Sequence, residues 1–309
     1  MTARKQRRFH GVIAPLVTPF GDDGAPDPAR FVEHADWLLR NGCTGLAPFG
    51  TTSEANSLGL DERMELLEEL VDADVEPNLL MPGTGMCSLS DAITLTQHAV
   101  DLDCGGCLML PPFFYKEPSE EGLYRFFSEV IEGVGDDRLK IYLYHIPPIA
   151  QVGFSISLIR RLRAAYPETI VGLKDSSGNW ANTLAVLDAV PDFEVFPGSE
   201  VFLLEGLRRG CAGVISASAN INVTAISNVY DNWQSAEADR AQASLTGFRK
   251  AVQAHPLIPA VKALIAHYRG DQGWARLRPP LVELDSAAAS SLVAMLEDEH
   301  GFAISLSRA

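Results

Sequence analysis

Apolar residues along this chain follow two rhythms. Short runs rich in branched and aromatic side chains fall at residues 12–17, 45–49, 79–81, 106–110, 141–144, 170–173, 194–196 and 213–215. Each is too short for a helix and is apolar on both faces, as expected of strands covered on both sides of a parallel sheet. Between them, apolar positions recur every three or four residues. Phe31, Ala35, Leu38 and Leu39 share one helix face, as do Met64, Leu67, Leu70 and Val71, and then Leu123, Phe126, Phe127, Val130 and Ile131. Such stripes are core-facing surfaces of amphipathic helices.

Strands alternating with helices build either an open doubly wound sheet or a closed barrel. A dinucleotide-binding sheet needs a glycine-rich turn after its first strand. Here the first run ends Thr18-Pro19-Phe20-Gly21, and Gly83-Thr84-Gly85 after the third run lacks the third glycine of that fingerprint. The pattern predicts an α/β fold, a (β/α)8 TIM barrel over residues 1–234. Three helical stretches follow at residues 236–253, 258–268 and 287–299, with a turn at Pro279-Pro280 between the last two. Residues 235–309 therefore read as a helical extension packed on the barrel within a single structural domain.

Composition narrows the partners. The 309 residues carry 40 acidic and 25 basic side chains, a net charge of −15. That balance argues against nucleic acid or an anionic membrane, both of which need a basic face. The five cysteines are too few and odd in number for a disulfide scaffold. Cys104-Gly105-Gly106-Cys107 precedes a strand instead of opening a helix and has no second ligand pair, so neither a redox nor a zinc role is expected. The histidines show no ligand spacing, and no metal is expected. Arg4, Lys5, Arg7 and Arg8 look like the start of a signal peptide. The apolar stretch behind them, however, carries Pro15 and Pro19 and has no small-residue cleavage site. The uncharged stretches 141–159 and 210–230 contain too many polar residues to span a bilayer. A cytoplasmic protein acting on a small molecule is expected.

In a barrel of this kind catalytic groups project from the C-terminal ends of strands. Those ends read Gly50-Thr51-Thr52-Ser53-Glu54, Tyr144-His145-Ile146-Pro147, Lys174-Asp175-Ser176, Pro197-Gly198-Ser199-Glu200 and Ser216-Ala217-Ser218. The chain has six lysines, and only Lys174 ends a strand. A lysine buried in a barrel mouth loses the hydration that favours its ammonium form, and its free amine attacks carbonyls to form a Schiff base. The structural alternative is an ion pair with Asp175. Tyr144, one strand away, is placed to shuttle protons for that chemistry; alternatively it is a core tyrosine. The glycine-led turn with Thr51 and Thr52 offers hydroxyls and backbone N–H groups to a carboxylate.

These three segments, with Gly172-Leu173-Lys174-Asp175, the opening Ala14-Pro15-Leu16-Val17-Thr18-Pro19-Phe20 and Gly213-Val214-Ile215-Ser216, resemble the dihydrodipicolinate synthase / N-acetylneuraminate lyase superfamily. The resemblance covers roughly residues 10–270. It implies a barrel with three C-terminal helices, a homotetramer or homodimer, and a class I aldolase that uses no cofactor or metal and binds pyruvate or a related 2-oxo acid. It further implies that Lys174 forms the imine and Tyr144 moves protons. Thr51 links to that tyrosine, Thr52 holds the pyruvyl carboxylate beside Gly50, and the Ile215 carbonyl lines the pocket. Ser176, Glu200 and Ser218 are candidate partners for substrate hydroxyls.

The departures from the family pattern bear on the acceptor. Dihydrodipicolinate synthases carry an arginine a few residues after the tyrosine segment, where this chain reads Pro147-Pro148-Ile149-Ala150-Gln151. They also place a second tyrosine across a subunit interface, where this chain reads Pro112-Phe113-Phe114-Tyr115-Lys116. His145 stands in place of the usual asparagine, and Ser53 in place of glycine. The expected function is a Schiff-base lyase, an aldolase or dehydratase of a sugar acid or hydroxy-oxo acid. The alternatives are 4-hydroxy-tetrahydrodipicolinate synthase of lysine biosynthesis and a non-catalytic barrel that binds a small 2-oxo acid.

Overall fold

The computed structural model describes residues 8–304; Arg4, Lys5 and Arg7 of the N-terminal basic cluster lie outside the described residues. Seven parallel strands form the barrel wall: β1 (Gly11–Ala14), β2 (Gly45–Leu46), β3 (Cys107–Met109), β4 (Ile141–His145), β5 (Ile170–Asp175), β6 (Glu194–Pro197) and β7 (Gly213–Ile215). They are ordered β2-β1-β7 and β3-β4-β5-β6 in two sheets. The eighth wall position is held by residues 80–83, which bridge Leu46 on one side and Leu108 on the other. The third strand expected at residues 79–81 is therefore reduced to single bridges, preceded by a 3-10 turn at Pro77–Leu79. Pro82, with no N–H, gives no donor toward β3, whereas Met81 N and Gly83 N donate to Leu46 O and Pro48 O on the β2 side. The bonds Ala212 N to Val195 O and Gly11 N to Ala212 O join β6, β7 and β1, closing the ring.

Eight helices alternate with the wall segments: α1 (Pro28–Arg40), α2 (Leu60–Asp72), α3 (Leu89–Asp101), α4 (Glu120–Val134), α5 (Ile156–Ala165), α6 (Trp180–Ala189), α7 (Leu203–Arg209) and α8 (Ala219–Asp231). One helical turn, Pro147–Ala150, precedes α5. The construction of α4 is typical. Ser119 caps its first turn by accepting from Gly122 N, Glu120 and Glu121 complement the helix dipole, and Gly135 ends it at φ 60°. Its buried stripe, Leu123, Phe127, Val130 and Val134, follows the expected helical spacing. Burying a Leu or Phe side chain contributes about 1.5–3 kcal/mol, so this stripe is enough to fix the helix to the wall.

The extension consists of α9 (Ala238–Gln253), α10 (Leu257–Arg269) and α11 (Ser286–His300). Its apolar residues Phe248, Val252, Val261, Leu264, Ile265 and Leu296 share a core with Val17 and Ile221 of the barrel. Inside the barrel a separate layer packs Phe9, Ile13, Ala47, Met81, Leu108, Tyr142, Tyr144 and Phe196. Gly172 makes room for that layer, since a Cβ there would overlap the Tyr142 ring. Buried Asn220 binds the loop after β1 to the start of α8: its side chain accepts from Val17 N at 3.2 Å and donates to Pro15 O at 3.0 Å. Among the described residues no helix is long and apolar enough to cross a membrane.

Candidate active site

Strands β4 and β5 run side by side with Tyr144 and Lys174 in direct register. Both side chains are buried, Lys174 at 3% exposure. The Lys174 Nζ sits 4.3 Å from the centroid of the Tyr144 ring. The Tyr144 hydroxyl is 3.1 Å from Thr51 Oγ1, a distance at which either group can donate. The ion pair with Asp175 does not form. The Asp175 carboxylate instead accepts from Ser177 N at 2.9 Å, Asn182 Nδ2 at 2.9 Å and Thr183 Oγ1 at 2.8 Å, so it caps the loop after β5.

Two other lysines are buried, and their surroundings set Lys174 apart. Lys140 donates to the carbonyls of Asp137 and Leu139. Lys262 on α10, fully buried, donates to Glu54 Oε1 at 2.7 Å and to Thr18 O at 2.9 Å. Lys174 alone of the three faces the cavity, and it makes neither an ion pair nor a hydrogen bond with the described residues. An amine that is buried, lines the cavity and is held by no neighbour is placed to add to a bound carbonyl.

The Gly50-Thr51-Thr52 turn is held under strain by its surroundings. Phe49 and Glu54, on either side of it, adopt left-handed φ of 60° and 57°, a conformation that costs non-glycine residues on the order of 1 kcal/mol or more each. Ser53 Oγ accepts from Gly50 N at 3.3 Å, and Thr18 Oγ1 donates to Ser53 O at 2.8 Å. The N–H groups of Thr51 and Thr52 donate to none of the described residues. With the two threonine hydroxyls they are donors of the kind a carboxylate accepts from.

The Lys262–Glu54 pair anchors this turn from behind, and Arg278 N adds a bond to Glu54 Oε2 at 3.1 Å. Burial holds the Lys262 pKa below the ordinary lysine value, against the pull of Glu54. Removing one member of such a pair strands the other in the interior. Lys262→Met is expected to cost about 3–5 kcal/mol of stability, read as a lower urea midpoint with an unchanged slope. Lys262→Met combined with Glu54→Leu is expected to cost less than Lys262→Met alone. An unchanged midpoint in the single variant would show that the pair does not anchor the turn.

The site opens into a cavity of about 860 Å³ lined by Thr51, Thr52, Tyr144, Lys174, Ser176 and Ile215, among others. Six of the nine site residues expected from sequence thus meet around one space. Gly198 allows Ser176 to approach, since a Cβ there would overlap the serine side chain. The other three lie elsewhere. Gly50 faces a separate small void shared with Thr51 and Tyr144. Glu200 and Ser218 are fully buried behind the wall and are not free to hold substrate hydroxyls. Ser216 and Ser218 each donate a short hydrogen bond to the Glu200 carboxylate, and Arg249 Nη1 approaches it at 3.2 Å. The physical reason is charge: Arg249, on the buried face of α9, needs an internal counterion, and Glu200 supplies it.

Arg249 and Lys250 also line the cavity. Sequence reasoning missed both, although a charged residue within the apolar stripe Leu245, Phe248 and Val252 was a readable signal. His145 is structural: its Nδ1 accepts from Phe154 N at 3.0 Å, and burial pushes its pKa below the usual histidine value. Phe114 and Tyr115 stand away from the cavity wall, 71% and 78% exposed. Burial raises the thiol of Cys104 to about 12 and that of Cys107 further, which leaves neither reactive. Among the described residues no group of three His, Cys, Asp or Glu side chains is placed to hold a metal ion.

Comparison with known proteins gives concordant matches. A model described as the dihydrodipicolinate synthetase family matches residues 8–299. An uncharacterized DapA-like lyase of Chloroflexus aurantiacus is 31% identical over 289 residues, 93% of this chain and 96% of that protein. The crystal structure of dihydrodipicolinate synthase from Agrobacterium tumefaciens superposes with a TM-score of 0.86 at 31% identity, covering 94% of this chain and 99% of that one. YagE, a prophage protein of the dihydrodipicolinic acid synthase family from E. coli K12 solved in complex with pyruvate, gives 0.86 at 27% identity, covering 94% and 98%.

Proposed function

The chain belongs to the dihydrodipicolinate synthetase family, and from that membership and the geometry of its site we propose a lyase that forms a Schiff base between Lys174 and a 2-oxo acid. The observation that carries this reading is the unpaired, buried Lys174 amine 4.3 Å from the ring of Tyr144, whose hydroxyl contacts Thr51. The pyruvate bound in the structure of YagE supports the choice of 2-oxo acid.

The steps follow from the placement of the groups. The Thr51-Thr52 turn receives the 2-oxo acid carboxylate and directs its ketone carbon toward Lys174. The amine adds to that carbon, forming a C–N bond, and the ketone oxygen takes up a proton to give a carbinolamine. Tyr144 donates a proton to the departing hydroxyl, water leaves, and a protonated imine remains. In the cleavage direction the C3–C4 bond breaks and its electron pair flows into the imine as an enamine. The C4 hydroxyl loses its proton to become an aldehyde. Protonation of C3 and addition of water then release pyruvate and restore the amine. In the dehydrating direction C3 gives up a proton and C4 loses its hydroxyl as water. No resident cofactor enters either course. The cavity of about 860 Å³ has room for more than a three-carbon acid, and a sugar acid or hydroxy-oxo acid carries the C4 hydroxyl that both courses need.

A second reading, 4-hydroxy-tetrahydrodipicolinate synthase, is favoured by the likeness to the Agrobacterium enzyme. The uncharged Pro147-Pro148-Ile149-Ala150-Gln151 stretch speaks against it, since it has no cation at the place where dihydrodipicolinate synthases carry an arginine. The lyase reading also includes self-association, supported by the solvent-facing Phe114 and Tyr115 beyond β3.

Borohydride reduction in the presence of pyruvate tests the proposal. A pyruvate-derived adduct is expected on the peptide containing Lys174. No adduct, or an adduct on another lysine, would refute it. A screen of hydroxylated 2-oxo acids for pyruvate release or water loss, run beside condensation of pyruvate with aspartate semialdehyde, separates the two readings.

A further inference from the structure

We infer that the substrate bears a second carboxylate at its far end, read by Arg249 and Lys250 on the cavity wall formed by α9. The inference rests on the Schiff-base reading, since it names the class of 2-oxo acid that the same site takes: a 2-oxo dicarboxylate.

Charge on the wall is the first ground. The charged residues lining the cavity are Lys174, Arg249, Lys250 and Asp175. Asp175 is committed to three donors, one from the loop after β5 and two from α6, and Lys174 is consumed as the imine. The two remaining cations come from adjacent positions of one helix. Glu200 offsets one of them, which leaves positive charge on the wall of the cavity whose Thr51-Thr52 turn takes the first carboxylate.

The geometry of Arg249 is the second ground. It is 5% exposed yet reaches the cavity. Its Nη1 donates to Ser216 at 2.9 Å and Ser218 at 3.2 Å and contacts Glu200 at 3.2 Å, while Nε donates to Gln253 Oε1 at 3.1 Å. The guanidinium plane is therefore fixed on two sides. Nη2 donates to none of the described residues and is not sealed from solvent. A largely buried guanidinium on the cavity wall with one uncommitted donor group is matched by an oxyanion, and a carboxylate is its best geometric partner. Lys250, exposed at the mouth, adds a mobile second cation. The wall thus supplies, from the extension, the positive group absent from the Pro147-Pro148-Ile149-Ala150-Gln151 stretch.

The experiment is borohydride trapping on the intact protein with chain-matched probes: 2-oxoglutarate against 2-oxopentanoate, and 2-oxoadipate against 2-oxohexanoate, with pyruvate as reference. In at least one pair the dicarboxylate is expected to reach half-maximal trapping at a concentration about tenfold lower or less. Lys250→Gln, on an exposed side chain, is expected to shrink that preference about threefold. Arg249→Met combined with Glu200→Gln, which leaves no buried charge unpaired, is expected to cut it to the about threefold share of Lys250. Equal trapping within both pairs, or a preference unchanged in Lys250→Gln and in the double variant, overturns the inference while leaving the Schiff base intact. If the double variant no longer traps pyruvate, Lys250→Gln decides alone. Failure of the wild type to trap pyruvate refutes the Schiff-base reading instead.

Discussion

Lys174→Arg and Lys174→Ala are both expected to lower turnover by on the order of 10⁴-fold or more, the scale seen when an enzyme loses its covalent nucleophile. The pair of substitutions separates chemistry from electrostatics. Arginine keeps a positive charge in the barrel mouth but is never deprotonated in proteins, so it cannot add to a ketone. If Lys174 only attracted an anionic substrate, Lys174→Arg would keep most of the activity. Its site tolerates the change in fold terms, because Lys174 has no ion pair to break. Circular dichroism and the urea midpoint are therefore expected to stay near wild type while borohydride trapping with pyruvate disappears. Activity in Lys174→Arg within tenfold of wild type would contradict the nucleophile role.

What could be read from the sequence, and what could not, divides along the range of the interactions. The strand-end residues Thr51, Tyr144 and Lys174 were legible because a barrel converts local pattern into position: a residue that closes an apolar run must point toward the mouth. Helix stripes were legible for the same local reason, as in α4. The apolar run at residues 79–81 marked the eighth wall position but not how thin its ladder is, since apolar character says nothing about the donor that Pro82 lacks toward β3.

Glu200, Ser218 and Arg249 show the second limit. At a strand end Glu200 looks like a ligand-facing carboxylate, yet it turns inward to a counterion 49 residues further along the chain. Lys262, likewise, lies on a helix of the extension and is buried against Glu54, 208 residues away. Both outcomes depend on how the extension docks on the barrel, which no local rhythm specifies. The consequence is functional. The imine half of the site is built by neighbouring strands, whereas the acceptor half is built partly by α9, so acceptor choice can change with the docking helix while the chemistry at Lys174 stays the same.

Tyr144→Phe is expected to slow turnover by about 10²–10⁴-fold, the range for loss of a positioned general acid–base group. Phenylalanine preserves the ring that packs against Lys174 and fills the same place in the barrel layer, so the fold should hold. What is lost is the hydroxyl 3.1 Å from Thr51. Without it the carbinolamine must shed water with no acid beside it, so the rate of imine formation should fall while the final extent of borohydride trapping on Lys174 is retained. Thr51→Val provides the control. Thr51 touches the same hydroxyl, so its removal should slow the wild type yet add little in the Tyr144→Phe background, a non-additive pair of the kind expected for residues acting through one another. A Tyr144→Phe enzyme within threefold of wild type would make Tyr144 a packing residue only. Fully additive losses would mean that Thr51 works on the substrate directly and not through Tyr144.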